Sequence, residues 1–203
     1  MPVSAFFAAL ATFLLALPSF AQQPQPVRIR GMIEAVDGPS LTIKSRNGEA
    51  VKVRLADNAR ISALVKASAA DLKPNTYIGV TSVPASDGSE KAVAVHIFPE
   101  ERRGTAEGRV NWDLLPDSKM TNGALNLLQV EGVHGGTMTV SYKGQEAKIA
   151  LTPETKIVAY TGGDKGELKP GTQIIIFGAT RGDDGVLQAT AISYGRDGLV
   201  PPM

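Results

Sequence analysis

Hydrophobic and polar positions alternate with a period of two along much of the chain. Ile29, Gly31 and Ile33 alternate with Arg28, Arg30 and Met32. Leu41 and Ile43 alternate with Thr42 and Lys44, and Val51, Val53 and Leu55 with Lys52 and Arg54. Successive side chains of an extended chain point to opposite faces, so this period predicts half-buried strands, not helices. The breaks are Asp37-Gly38, Asn47-Gly48 and Asp87-Gly88. These dipeptides tolerate the positive φ that tight hairpins need. A fourth strand is predicted near 77–83 and a fifth near 91–98. Between strands three and four, Ala-rich 62–72 carries Ser68 followed by Asp71 and then Pro74. That reads as a short capped helical turn which the proline ends.

The same pattern is written twice. Glu34 to Ile43 aligns with Glu131 to Val140, Leu55 to Ile61 with Leu151 to Ile157, and Asp71-Leu72-Lys73-Pro74 with Glu167-Leu168-Lys169-Pro170, at offsets of 97, 96 and 96. Three blocks in one order at nearly one offset mark an internal repeat. The second copy has its own turns at Gly135-Gly136, Lys143-Gly144 and Asp184-Gly185. Its fourth strand, 173–178, is almost wholly apolar, as a strand covered on both faces is. The element order predicts an all-β chain of two tandem five-stranded OB-like barrels, each with a short helical turn between strands three and four. An SH3-like closure is the alternative. The boundaries expected are 27–98 for the first barrel, 99–123 for a linker, 124–196 for the second barrel and 197–203 for a C-terminal tail, with residues 22–26 and 201–202 as extended, mobile ends. A barrel of ~70 residues buries only about 60% of its chain surface, so the two are expected to pack together. Leu125 and Leu127 stand where the first copy has Arg28 and Arg30, and Trp112 sits in the linker. These three are the expected junction residues.

Residues 5–17 are apolar apart from Thr12, Pro18 follows, and Ser19-Phe20-Ala21 places small residues at a cleavage site. This is the form of a signal peptide over residues 1–21, cut between Ala21 and Gln22, which predicts a periplasmic protein. The run is short of the ~20 apolar residues a spanning helix needs. The chain has 203 residues, a formal net charge of +1, 43% hydrophobic residues and no cysteine. The composition is that of a globular protein. The absence of cysteine excludes disulfides, thiolate metal sites and a cysteine nucleophile.

Arg28, Arg30, Lys44, Arg46, Lys52 and Arg54 occupy alternate positions of three successive strands. Paired as a meander, they form one cationic face, the candidate site for an anionic envelope polymer, a glycolipid or an acidic protein. The same charges also serve simply to keep an exposed sheet soluble. Nucleic acid is not expected, because no stacking aromatics interleave these cations and export removes the usual partner. His96 and His134 are the only histidines. They are not at equivalent positions and lack ligand spacing, so a metal-handling accessory role is the alternative reading. No nucleophile elbow, zincin helix or phosphate loop is present, no cofactor is implied, and Asp183-Asp184 lies in a turn. An unrecognised carboxylate pair, as in a hydrolase, is the weakest reading.

The leader, the doubled OB-like unit, the Asp71-Leu72-Lys73-Pro74 turn, and a linker with Trp112-Asp113-Leu114 and Met120-Thr121-Asn122 resemble an exported proteobacterial family of unknown function. The resemblance spans nearly all of the chain after the leader. It brings no catalytic motif and implies binding or assembly, not catalysis. Relatives sometimes carry an automatic label as a metal ABC transporter permease. A permease crosses the bilayer with closed helical or barrel backbone, so the label is set aside as a mechanism. The expected function is a non-enzymatic periplasmic binding or assembly module.

Overall fold

The period-two segments are strands in the computed structural model, which describes residues 26–130, 135–182 and 184–203. Twelve strands run through them: β1 (Val27–Asp37), β2 (Ser40–Ser45), β3 (Ala50–Lys66), β4 (Tyr77–Pro84), β5 (Glu90–Ile97), β6 (Gly108–Asn111), β7 (Lys119–Val130), β8 (Gly136–Tyr142), β9 (Gln145–Leu151), β10 (Lys156–Gly162), β11 (Gln173–Arg181) and β12 (Leu187–Gly195). The expected signal peptide, residues 22–25 of the expected N-terminal end, His134 and Asp183 lie outside the described residues. Turn chemistry acts where it was expected to. Lys143 (φ 45°) and Gly144 (φ 74°) join β8 to β9 in a two-residue hairpin, the left-handed pair that matches strand twist. Short 3-10 turns at Ala69–Asp71 and Lys165–Glu167 precede β4 and β11. In the first, the Ser68 backbone N–H donates to the Asp71 carboxylate at 2.8 Å.

Five strands close a barrel. β1 pairs with β2 and β11, β2 with β3, β3 with β12, and β12 with β11. Its interior joins Ile33, Ile43 and Val53 to Ile174, Ile176 and Ile192. The barrel therefore takes three strands from residues 27–66 and two from 173–195. A pair of tandem barrels, each closed within one copy, is not what these pairings describe. The remaining strands run β5-β4-β7-β8-β9, with β6 on β7 and a single residue pair, Lys91 with Ala150, between β5 and β9. They enclose a second core that includes Ile78, Val80, Leu125 and Ile149.

The way the barrel meets the other strands follows from β3. Its 17 residues extend past the barrel to pair antiparallel with β10. β10 in turn lies parallel to β5, Ile157 opposite Val95. In the later half β9 and β10 are separate strands with Pro153 between them. Proline has no N–H to give to a ladder. Alternation decides which face of each strand is buried, but every strand here has the same period, so it carries no information about partners.

Three further expectations are corrected. The linker 99–123 is not wholly a strap: Gly108–Asn111 is strand β6, and β7 starts at Lys119. The C-terminal residues 201–203 are buried instead of mobile. Leu125 is a core residue, whereas Leu127 is 47% exposed. A bulge between them in the β7–β8 register turns two residues of nominally like parity to opposite faces.

A third apolar cluster, with Leu64, Tyr77, Phe98, Tyr160, Ile175 and Met203, joins the barrel to the other strands. Because the closed barrel needs β11 and β12, residues 26–98 and 99–203 produced separately are expected to give no folded monomer. Refolded together they should form a one-to-one complex with dispersed amide NMR resonances. A well-dispersed monomeric spectrum from 26–98 alone would contradict these pairings.

Candidate functional site

The six predicted cations do not form one free face. The Arg28 guanidinium lies over the Trp112 ring, 3.8 Å from its centroid, and pairs with Asp113 at 2.6 Å. Arg30 grips the same carboxylate with two N–H groups, at 3.1 and 2.7 Å, and its Nε donates to the Met203 carbonyl. Arg46 donates to the Pro201 carbonyl at 3.2 Å. Burial, and then the neighbouring Arg30, push its pKa below the usual arginine value. These three arginines therefore hold the linker and the C-terminal residues against the barrel. Lys44, Lys52 and Arg54 stay exposed, and Arg54 faces Asp184 at 3.2 Å. The register sets Lys44 opposite Met32 and Ala50, and Lys52 opposite Thr42, so no two of these cations face each other directly.

Behind this latch, a cavity of ≈ 330 Å³ opens at the seam between the barrel and the other strands. The barrel, the linker, the C-terminal residues and strands β4, β5 and β7 contribute to it. The barrel supplies Arg28, Arg60 and Phe177, the linker Arg102 and Trp112, and the C-terminal residues Met203. Its floor is a row across three strands, because Gly79 of β4 pairs with His96 of β5 on one side and Asn122 of β7 on the other. Gly79 leaves the floor open. A Cβ there would sit 2.6 Å from Asn122 Oδ1 and 3.1 Å from Phe98 Cε2. Phe98 stacks on Tyr160 with centroids 5.0 Å apart, and the Arg102 guanidinium lies 4.2 Å from the Tyr160 centroid.

The polar atoms of this cavity are unusual. Arg28 Nε, both nitrogens of His96, Arg102 Nε, Trp112 Nε1 and Asn122 Oδ1 are buried and have no hydrogen-bond partner among the described residues. All five residues line the one cavity. An unpaired buried polar group costs about 1–3 kcal/mol, and native folds contain few. Their concentration in one place makes this cavity the candidate site. His96 is 1% exposed. Burial drives its pKa down to about 3, and the adjacent Gly79 backbone offsets this only in part. It is a neutral imidazole at neutral pH. Burial also pushes the Tyr160 phenol up to about 12, with Arg102 acting in the opposite sense.

Sequence reasoning had named Arg28, His96 and Trp112 but had not brought them together. Arg60, Arg102, Gly79, Phe177 and Tyr160 carried no signal, and Asn122 appeared only inside the Met120-Thr121-Asn122 resemblance. Trp112 reaches the seam as a junction residue would, and lies 6.4 Å from the Phe177 ring. Leu125 and Leu127 line no part of the cavity. Among the described residues no three of His, Asp and Glu cluster as metal ligands, and no helix is long and apolar enough to cross a membrane.

Comparison with known proteins adds one fact. Residues 129–193 match a family described as a domain of unknown function, DUF5666. A DUF5666 domain is present. It runs from within β7 to within β12, so the DUF5666 segment contributes β8 and β9 to one core and β11 and β12 to the closed barrel. No curated protein and no solved structure matches the chain.

Two pH effects follow. The hydrogen bond from Arg30 holds Asp113 at about 2 in place of 3.8. The latch is therefore fully formed above pH ~4 and weakens as pH falls toward 2. Asp113→Asn should lower the melting temperature above pH 4, with the difference from wild type disappearing by pH 2. His96 is lowered from 6.5 to about 3. Its neutral form favours the folded state above pH ~6.5, and that contribution is lost as pH falls toward 3. Denaturation midpoints should fall from pH 6.5 to 4 in wild type and fall less in His96→Gln.

Proposed function

We propose that this chain is a periplasmic, non-enzymatic binding module that holds a small anionic ligand in the seam cavity. The apolar run 5–17 and the Ala21/Gln22 junction support export. The aligned blocks support a gene-internal doubling of an OB-like unit. Leu64 faces Tyr160 across β3 and β10, residues separated by the same offset as the blocks, and this register fits a pseudo-two-fold relation between copies. On this reading the two OB-like barrels are tandem in sequence and exchange strands in space.

The single observation that carries the ligand reading is the set of orphaned polar atoms. Arg28, Arg60 and Arg102 line the cavity with no carboxylate in its lining, and guanidinium N–H groups donate but never accept. A metal cation on His96 would meet three guanidinium charges, so the electrostatics favour an anion. The cationic face Arg28, Arg30, Lys44, Arg46, Lys52 and Arg54 is a weaker site for a polyanion, because three of its members are engaged by Asp113 and the C-terminal residues.

The reading is tested on protein secreted from an expression host, whose N-terminus is expected at Gln22. Cyclohexanecarboxylate and cyclohexylmethylammonium have nearly the same body and opposite charge. The carboxylate should bind saturably, raise the melting temperature and perturb the fluorescence of Trp112, the chain's one tryptophan, while the amine should do neither. Arg102→Gln should weaken the carboxylate about tenfold or more, the loss of one charged hydrogen bond. Equal binding of both ions, or of neither, overturns the anion reading.

A further inference from the structure

The cavity has two chemically different ends, and they define its ligand more closely. Arg28 Nε, Arg102 Nε and Trp112 Nε1 are donors without acceptors. They call for oxygen lone pairs. The floor asks for the opposite. Asn122 donates with Nδ2 to the carbonyls of Thr105 and Ala106, both at 3.3 Å. That fixes the amide orientation and leaves Oδ1, buried and unpaired, as a pure acceptor. His96, across Gly79 from Asn122, is neutral and offers one donor and one acceptor. A hydroxyl placed over Gly79 donates to Asn122 Oδ1 and accepts from the His96 N–H. A carboxylate, having no proton to donate, leaves Asn122 orphaned. Between the ends the lining is apolar, with Phe98, Met120, Phe177 and Met203.

We propose that the cavity binds a hydroxylated monocarboxylate with a compact apolar body, its hydroxyl over Gly79 between His96 and Asn122 and its carboxylate toward Arg102 and the Arg28–Trp112 pair. This rests on the cavity being the anion site proposed above, and it assigns His96, Asn122 and Gly79 as the specificity determinants. A single negative charge fits better than two, since Arg28 already shares Asp113 and Arg60 is exposed. The volume of ≈ 330 Å³ is at the small end of ligand pockets, roughly 300–1,000 Å³. That favours a ring-sized acid over an oligosaccharide or a long acyl chain, whose extra polar groups or length the lining does not serve.

The test extends the earlier pair of probes. Hydroxycyclohexanecarboxylates, with the hydroxyl at each ring position, are compared by calorimetry with cyclohexanecarboxylate. At least one hydroxy acid is expected to bind about tenfold or more tightly than the parent, because a site built for a hydroxyl discriminates against the analogue lacking it. The ratio of hydroxy-acid to parent-acid affinity should fall toward one in Gly79→Ala, whose Cβ fills the floor. His96→Gln is an independent check should Gly79→Ala not fold, and should likewise bring the ratio of hydroxy-acid to parent-acid affinity down toward one; a ratio unchanged from wild type overturns the assignment. If every hydroxy acid binds no better than the parent, the hydroxyl assignment is overturned and the anion site stands. If no acid binds at all, both proposals fall.

Discussion

The parallel contact of β12 with β3 is the joint on which this molecule depends. Leu187 faces Val53, Ala189 faces Leu55 and, beyond a bulge, Ile192 faces Ile61. Without that contact the sheet β12-β11-β1-β2-β3 stays open between β12 and β3, and its buried isoleucines face water. With it the barrel closes, and a closed barrel has no edge for another chain to pair with. The contact joins residues more than half the chain apart in sequence. Non-local pairing of this kind carries a large loop-closure cost before it is rewarded, so folding is expected to be slow for the size of the chain.

The seam exists because β3 runs on past the barrel. β3 leaves the barrel to meet β10, β10 meets β5, and the residues around Leu64 and Tyr160 become a core shared by both halves. A cavity at such a seam is walled by elements that meet only in the finished fold. Its lid is electrostatic. Asp113 draws Arg28 and Arg30 onto one carboxylate, which seats Trp112 under a guanidinium and leaves the Met203 carbonyl to Arg30. These charged contacts are partly exposed, so each is individually weak. Their effect is to fix position, holding the aromatic wall and the C-terminal residues in register with the floor.

The DUF5666 segment illustrates how a unit of sequence differs from a unit of space. Residues 129–193 carry a self-consistent run of strands and turns, yet those strands serve two cores. Conserving the local pattern conserves hairpins and buried faces. It does not by itself keep the closure within one segment, because any strand with an apolar face offers the same burial and the same backbone groups.

Much of this architecture is local and was legible in residue order. Period-two alternation, the Asn-Gly, Asp-Gly and Lys-Gly turns, and the Ser68/Asp71 turn before β4 identify strands and connections because each rests on neighbours within a few residues. The basic character of β1 to β3 and the isolated Trp112 were legible for the same reason. Strand partners were not, since one alternation fits any strand with an apolar face, and a bulge of one residue sent Leu125 inward and Leu127 outward. Nor was the convergence of Arg28, His96, Arg102 and Asn122 on Gly79, which requires β4 to lie between β5 and β7 and the linker to be latched by Asp113. Local chemistry determined what each segment is, and tertiary structure alone decided what meets what, because hydrophobic burial is non-directional and only closure of the whole sheet selects among equivalent faces.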